Sequence, residues 1–159
     1  MICCVHWIHL FLNISGPGFD VRQRQTGNYM NILIAEDEIE YRNALCEALT
    51  MCGHTVAIAT DGIEALDLLK RKQCDLIISD INMPHRSGTQ LHEMVRSDER
   101  LRDIPSIYVT RLAVLRLTTP VDKSGLDYVL GKMSFDRLMQ LVDDLSVNRG
   151  VIPNGIALA

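Results

Sequence analysis

Leu76-Ile77-Ile78-Ser79-Asp80 is the stretch on which the fold turns. A short continuous apolar run describes a strand covered on both faces, the situation of a strand inside a parallel sheet. Its last residue is a carboxylate, so the charge is delivered to the end of a buried strand. The same design recurs on either side. Asn31-Ile32-Leu33-Ile34-Ala35 is a second such run, followed at once by Glu36 and Asp37. His54 to Ala59, Ser106 to Thr110 and Tyr128-Val129-Leu130 make three more strand candidates, the last standing just before Lys132.

Amphipathic stretches fill the gaps between these runs. Ile39, Leu45, Ala48, Leu49 and Cys52 approximate helical spacing, with Gly53 where a left-handed cap ends a helix. Asp61-Gly62 reads as a turn before Ile63, Ala65, Leu66, Leu68 and Leu69, and Lys70-Arg71-Lys72 suits that helix's C-terminus. Met83-Pro84 and Ser87-Gly88 punctuate a loop ahead of Leu91, Met94 and Val95. Phe135, Leu138, Leu141, Val142 and Leu145 describe a last helix with Ser134 as its N-cap. A further helix is expected to begin around Pro120. Strict strand–helix alternation predicts an α/β, doubly wound five-stranded parallel sheet with about five helices. In such a sheet ligands bind beyond the carboxyl ends of the strands.

The 159 residues fit one domain, expected over 30–146, with a leader at 1–29 and a short tail at 147–159. Sixteen basic and twenty acidic residues give a formal charge of −4 without a block of like charge, so no nucleic-acid surface is expected. The apolar start, Met1 to Leu12, is too short to span a bilayer and has no basic residue before it. Five cysteines without a C-x-x-C pair point to neither a disulfide framework nor zinc, and fit a reducing cytoplasmic setting. Cys46, Cys52 and Cys74 are expected as small buried hydrophobes. Cys3, Cys4, His6 and His9 match no metal-ligand spacing.

The predicted sheet edge gathers chemistry. Glu36, Asp37 and Asp80 repel one another unless a cation lies among them, and oxygen ligands of this kind suit Mg²⁺. Lys132 adds a positive point charge and Thr110 a hydroxyl donor. Together they can hold the oxygens of a phosphoryl group, with Asp80 as the nucleophile that forms an acyl phosphate.

These residues resemble the receiver domains of response regulators in two-component signalling. The likeness rests on Ile32-Leu33-Ile34-Ala35-Glu36-Asp37-Glu38, Asp61-Gly62-Ile63-Glu64-Ala65-Leu66, Asp75 through Pro84, Arg102-Asp103-Ile104-Pro105 leading to Thr110, and Gly125 to Lys132. It covers roughly 31–146, and the steps of 43, 30 and 22 residues from Asp37 to Asp80, Thr110 and Lys132 look like the family's. The resemblance implies a flavodoxin-like fold. It implies Asp80 as phosphoacceptor, with Mg²⁺ held by Asp37, Glu36, Asp80 and the backbone carbonyl of Asn82. Lys132 then pairs with the phosphoryl group, and Thr110 closes on it together with an aromatic switch residue, for which Tyr128 is the candidate. It also implies a sensor histidine kinase or histidine phosphotransfer protein as donor, a downstream protein as target, and no catalysis beyond self-phosphorylation and self-dephosphorylation.

Three positions depart from the family. Met133 follows Lys132 where the family usually has proline, so a trans peptide is expected there. Arg111 follows Thr110 in place of a small residue and is expected to shield the phosphoryl site. Tyr128 falls one position before the family's aromatic slot, which Val129 fills; alone, a tyrosine there reads as partly buried with its hydroxyl in water. Leu112, Val114, Leu115 and Leu117 add an apolar stretch, read either as a partner face or as core. The thirteen residues after Ser146 leave no room for an output domain, so a single-domain, chemotaxis-type regulator acting by docking is expected. Two alternatives stand beside it. One is an aspartate-nucleophile phosphatase, although Asn82 occupies the place of the usual second aspartate; the other is a receiver-like docking module that is never phosphorylated.

Overall fold

A computed structural model describes residues 29–111 and 126–147. In chain order its elements are β1 (Asn31–Ala35), α1 (Ile39–Met51), β2 (Thr55–Ala59), α2 (Gly62–Arg71), β3 (Leu76–Asp80), α3 (Gly88–Ser97), β4 (Ser106–Thr110), β5 (Asp127–Gly131) and α4 (Phe135–Val147). All strand pairs are parallel, in the order β2-β1-β3-β4-β5. This is the flavodoxin-like, doubly wound sheet that the alternation predicts. Four helices fall among the described residues. The helix expected near Pro120, the leader and the tail beyond Val147 lie outside them, as do Cys3, Cys4, His6, His9, Leu112, Val114, Leu115 and Leu117.

Strand periodicity sorts the core into two layers. Ile32, Ile34, Ile78, Ile107, Val109 and Leu130 face one way and pack with Leu45 and Leu49 of α1 and Leu138 and Val142 of α4. Leu33, Ala35, Ala59 and Ile77 face the other way, against Ala65, Leu66 and Leu69 of α2 and Leu91 and Val95 of α3. β3 and β4 are buried at every position, which is why their sequences are apolar without alternation.

Local chemistry sets the boundaries. Gly53 adopts φ +91°, as expected of a left-handed helix end. Asp61 is not a turn residue but the N-cap of α2: its Oδ1 accepts from the N–H groups of Ile63 and Glu64 at 2.8 and 2.9 Å. Ser87 likewise caps α3, and Gln90 returns a bond to the Ser87 N–H, completing a capping box. Cys46, Cys52 and Cys74 are half-buried, not fully buried as expected; Cys46 and Cys74 pack against the edges of the two core layers, and burial pushes the Cys74 thiol up to about 11. None of the described helices is long and apolar enough to cross a membrane.

A buried polar network joins α3 to the amino ends of β4 and β5. His92 Nε2 lies 2.8 Å from Asp127 Oδ2, and Arg96 Nη2 donates to Asp127 Oδ1 at 2.5 Å and to Ser106 Oγ at 3.2 Å. Arg96 Nη1 donates to the carbonyls of Arg102 and Ile104, both at 2.9 Å. Burial raises the Asp127 carboxyl, but the His92 and Arg96 bonds outweigh it and hold the group below its ordinary value. Such a group stabilises the fold above the unfolded carboxylate value and loses that contribution as pH falls through the lowered one. Asp127→Ala leaves buried positive charge unpaired and is expected to cost about 3–5 kcal/mol in urea unfolding at neutral pH. The difference from the native chain should shrink below the ordinary carboxylate value of 3.8.

Candidate functional site

Parallel strands that start in register finish together, so their carboxyl ends share one edge. Ala35 pairs with Ser79 and Asp80 with Val109, which brings Glu36 beside Asp80. Thr110 pairs with Gly131, and the Lys132 N–H donates to the Thr110 carbonyl at 2.8 Å. Glu36, Asp80, Thr110 and Lys132 are all buried, whereas Asp37 is exposed.

Lys132 organises the charges. Its Nζ lies 2.7 Å from both Asp80 Oδ2 and Glu36 Oε1, and 3.5 Å from Glu38 Oε2. The other Asp80 oxygen, Oδ1, accepts the Asn82 N–H at 3.0 Å. Glu36 Oε1 also accepts the Glu38 N–H at 3.1 Å, and Arg42 Nη1 pins the acidic turn by donating to the Glu36 and Asp37 carbonyls at 2.8 and 3.1 Å. Burial alone favours the neutral amine, yet bonds to Asp80 and Glu36 hold the Lys132 ammonium above its usual value. Burial pushes Glu36 the other way from an ionised carboxylate, raising it against the pull of Lys132 and the Glu38 N–H. One cation is not enough for this cluster.

Carboxylate oxygens of Glu36, Asp37 and Asp80 lie within 4.8 Å of one another. Glu36 Oε2 is buried without a hydrogen-bond partner among the described residues, a state that costs free energy unless something binds it. A hard divalent cation with oxygen ligands fits this donor set.

The predicted residues are therefore gathered, with the exception of Tyr128. Tyr128 is buried in the layer formed with Leu138 and Val142, and its hydroxyl is also without a partner there, not in water as its sequence position suggests. Val129 points to the opposite face with Tyr108 and Ile81. Thr110, two residues after Tyr108, falls on that same opposite face by strand alternation. The peptide after Lys132 is trans, since no cis bond occurs in the described residues. Arg111 reaches across the edge to an ion pair with Glu38, its own side chain 70% exposed.

Sequence reasoning missed four contributors: Glu38, Tyr41, Arg42 and the Asn82 N–H. Arg42 stands four residues after Glu38, a spacing that suggests a Glu38–Arg42 pair, yet its guanidinium bonds the Glu36 and Asp37 carbonyls, for which spacing gives no signal. Glu38 acts through Lys132 and Arg111, and Tyr41 lies under Lys132, both partners distant in sequence. Gly88 was read only as loop punctuation, yet a Cβ there would overlap the carbonyl oxygen of Asp80.

Residues 32–143 match the family model of the response regulator receiver domain. The chain is 29% identical over 111 residues to response regulator MprA of Mycobacterium sp. (strain KMS), covering 69% of this chain and 47% of that protein. It is 32% identical over 103 residues to sensor histidine kinase RcsC of Escherichia coli (strain K12), covering 65% of this chain and 11% of that protein. It thus spans less than half the length of these curated relatives. The crystal structure of response regulator TrrA from Thermotoga maritima, in complex with Mg²⁺ and BeF, superposes with a TM-score of 0.63 at 30% identity, covering 72% of this chain and 97% of that one.

The close approach at Gly88 is open to direct measurement. Gly88→Ala is expected to lower unfolding stability by about 1–3 kcal/mol, as overpacking against backbone does. An unchanged urea midpoint refutes the contact.

Proposed function

The chain belongs to the response-regulator receiver domain family of two-component signalling, and from that premise we propose that it is the phospho-acceptor of a phosphorelay, with Asp80 as the modified residue. The observation that carries this reading is Lys132 Nζ, 2.7 Å from Asp80 and from Glu36, beside a buried Glu36 oxygen with no partner. The donor set that fits Mg²⁺ is Glu36, Asp37 and Asp80, with the Asn82 carbonyl as a further ligand. Mg²⁺, when bound, supplies positive charge against the phosphoryl oxygens. The likeness to TrrA, whose structure contains Mg²⁺ and BeF, supports the assignment.

The chemistry then follows from the chain's own residues. A carboxylate oxygen of Asp80 attacks the phosphorus of a phosphohistidine, forming a P–O bond as the P–N bond breaks and the imidazole leaves with its electron pair. Lys132 turns its donors toward the phosphoryl oxygens, and the Thr110 hydroxyl supplies another. Hydrolysis reverses the modification: water attacks phosphorus, and Asp80 and inorganic phosphate are released. The donor is a sensor histidine kinase or a histidine phosphotransfer protein, in keeping with the likeness to RcsC. The output is binding of a downstream protein, through a shift between two populated states. Thr110 shares its face with Tyr108 and Val129, so its movement acts on that cluster first, and Tyr128 responds through β5 from the other face.

Asp80→Asn is expected to abolish Mg²⁺-dependent incorporation of phosphate from a small acyl phosphate, and chelation of Mg²⁺ should do the same to the native chain. Undiminished labelling of Asp80→Asn overturns the assignment. The Arg111–Glu38 pair crosses the mouth of the site, so Arg111→Ala should shorten the acyl phosphate's half-life severalfold; equal dephosphorylation rates would show that the pair does not guard the bond.

A further inference from the structure

Lys132 has a fourth neighbour that none of the carboxylate chemistry uses. Its Nζ stands 5.0 Å from the centroid of the Tyr41 ring, inside the range of about 6 Å over which a cation is drawn to an aromatic face. Tyr41 is the third residue of α1, half-buried and packed against the core layer beneath that helix. We propose that Tyr41 is a positioning residue for Lys132, its ring face holding the ammonium at the phosphoryl site without occupying a hydrogen-bond donor. The inference rests on the phospho-acceptor reading of Asp80.

Three observations carry it. The first is the count of donors. An ammonium has three N–H groups, of which Glu36 Oε1 and Asp80 Oδ2 each take one at 2.7 Å, while Glu38 Oε2 at 3.5 Å is too far for a strong third bond. A partner that attracted Lys132 through its last donor would compete with the incoming phosphoryl oxygens. A ring face attracts the charge and leaves that donor available.

The second observation concerns the Tyr41 hydroxyl, which is buried with no hydrogen-bond partner among the described residues. The oxygen therefore contributes nothing visible to the site, and what the residue offers is its ring. Burial and the neighbouring Glu36, Asp80 and Glu38 carboxylates push the phenol upward, so it stays neutral.

The third is the length of the side chain, whose ammonium is otherwise held only by the two carboxylates that the phosphoryl chemistry itself engages. Lys132 is fixed through its backbone N–H to Thr110, but its long stem carries rotamer freedom that must be suppressed for the ammonium to be in place. Met133, the next residue, is 98% exposed and packs against nothing that could restrain it. The Tyr41 ring, on α1, lies against that ammonium and adds a restraint that uses no hydrogen bond.

The test uses the full-length chain, with two readouts that need no partner protein: the rate of Mg²⁺-dependent phosphorylation by acetyl phosphate, and the affinity for beryllofluoride in the presence of Mg²⁺. Tyr41→Leu keeps an apolar side chain but removes the ring, and should lower both by about tenfold, equivalent to about 1.4 kcal/mol. Tyr41→Phe should restore most of the loss. Phenylalanines of increasing fluorination at position 41 keep the ring's shape while draining its face of electron density, so both readouts should decline in graded order. A purely structural ring predicts instead a flat fluorination series. That outcome, or a Tyr41→Leu chain that reacts like the native one, overturns the inference while leaving the phospho-acceptor reading intact. A native chain that neither binds beryllofluoride nor labels on Asp80 overturns both together.

Discussion

Three carboxylates at one mostly buried sheet edge cannot coexist without positive charge, and Lys132 is the cation that the fold itself supplies. Everything at that edge is arranged around it. β5 must end beside β4 for the Lys132 backbone to be tied to Thr110, and β1 must lie beside β3 for Glu36 and Asp80 to share one ammonium. Neither condition follows from neighbouring sequence. Both follow from parallel strands in the order β2-β1-β3-β4-β5. The topology is thus a means of solving an electrostatic problem that the site's chemistry creates.

The two ends of the sheet treat buried charge in opposite ways. At the amino ends of β4 and β5, Asp127 meets His92 and Arg96, and the guanidinium's remaining donors are spent on two carbonyls and a hydroxyl. That network is complete and fixes one arrangement. At the carboxyl ends, Glu36 retains an unsatisfied oxygen and Lys132 is shared among competing acceptors. On the proposed reading, the Glu36 oxygen left over by Lys132 and the Glu38 N–H is one that a divalent cation would take.

Much of this was legible in the sequence, and the parts that were not have a common cause. Buried strands announce themselves by apolar runs, and a carboxylate at the end of such a run, as at Asp80, stands out against the preceding residues. Glu36, Asp37, Thr110 and Lys132 were legible because each stands at the carboxyl end of a strand or just past it. Asp61 was read as a turn because an N-cap and a turn use the same residue type, and only the bonds to Ile63 and Glu64 distinguish them. Asp127, His92 and Arg96 passed unnoticed because their partners lie more than thirty residues apart, with no periodicity linking a helix face to a strand's first residue. Tyr41 falls outside the apolar pattern by which its helix was read, and its partner Lys132 lies far along the chain. Tyr128 and Val129 show the limit of alignment by spacing: a shift of one residue in a strand transfers a side chain from one layer of the core to the other.

The two oxygens of Asp80 are already different before any substrate arrives. Oδ1 is tied to the Asn82 N–H, part of the chain that bends away after β3, and Oδ2 is tied to a side chain delivered by β5. A free carboxylate turns about its last bond and presents either oxygen at random. Here that rotation is arrested from both sides, so the entropy of choosing an orientation is lost when the protein folds and, on the proposed phospho-acceptor reading, not at the reaction. The carboxylate is thus held in one orientation, one oxygen committed to the backbone and the other to the Lys132 ammonium.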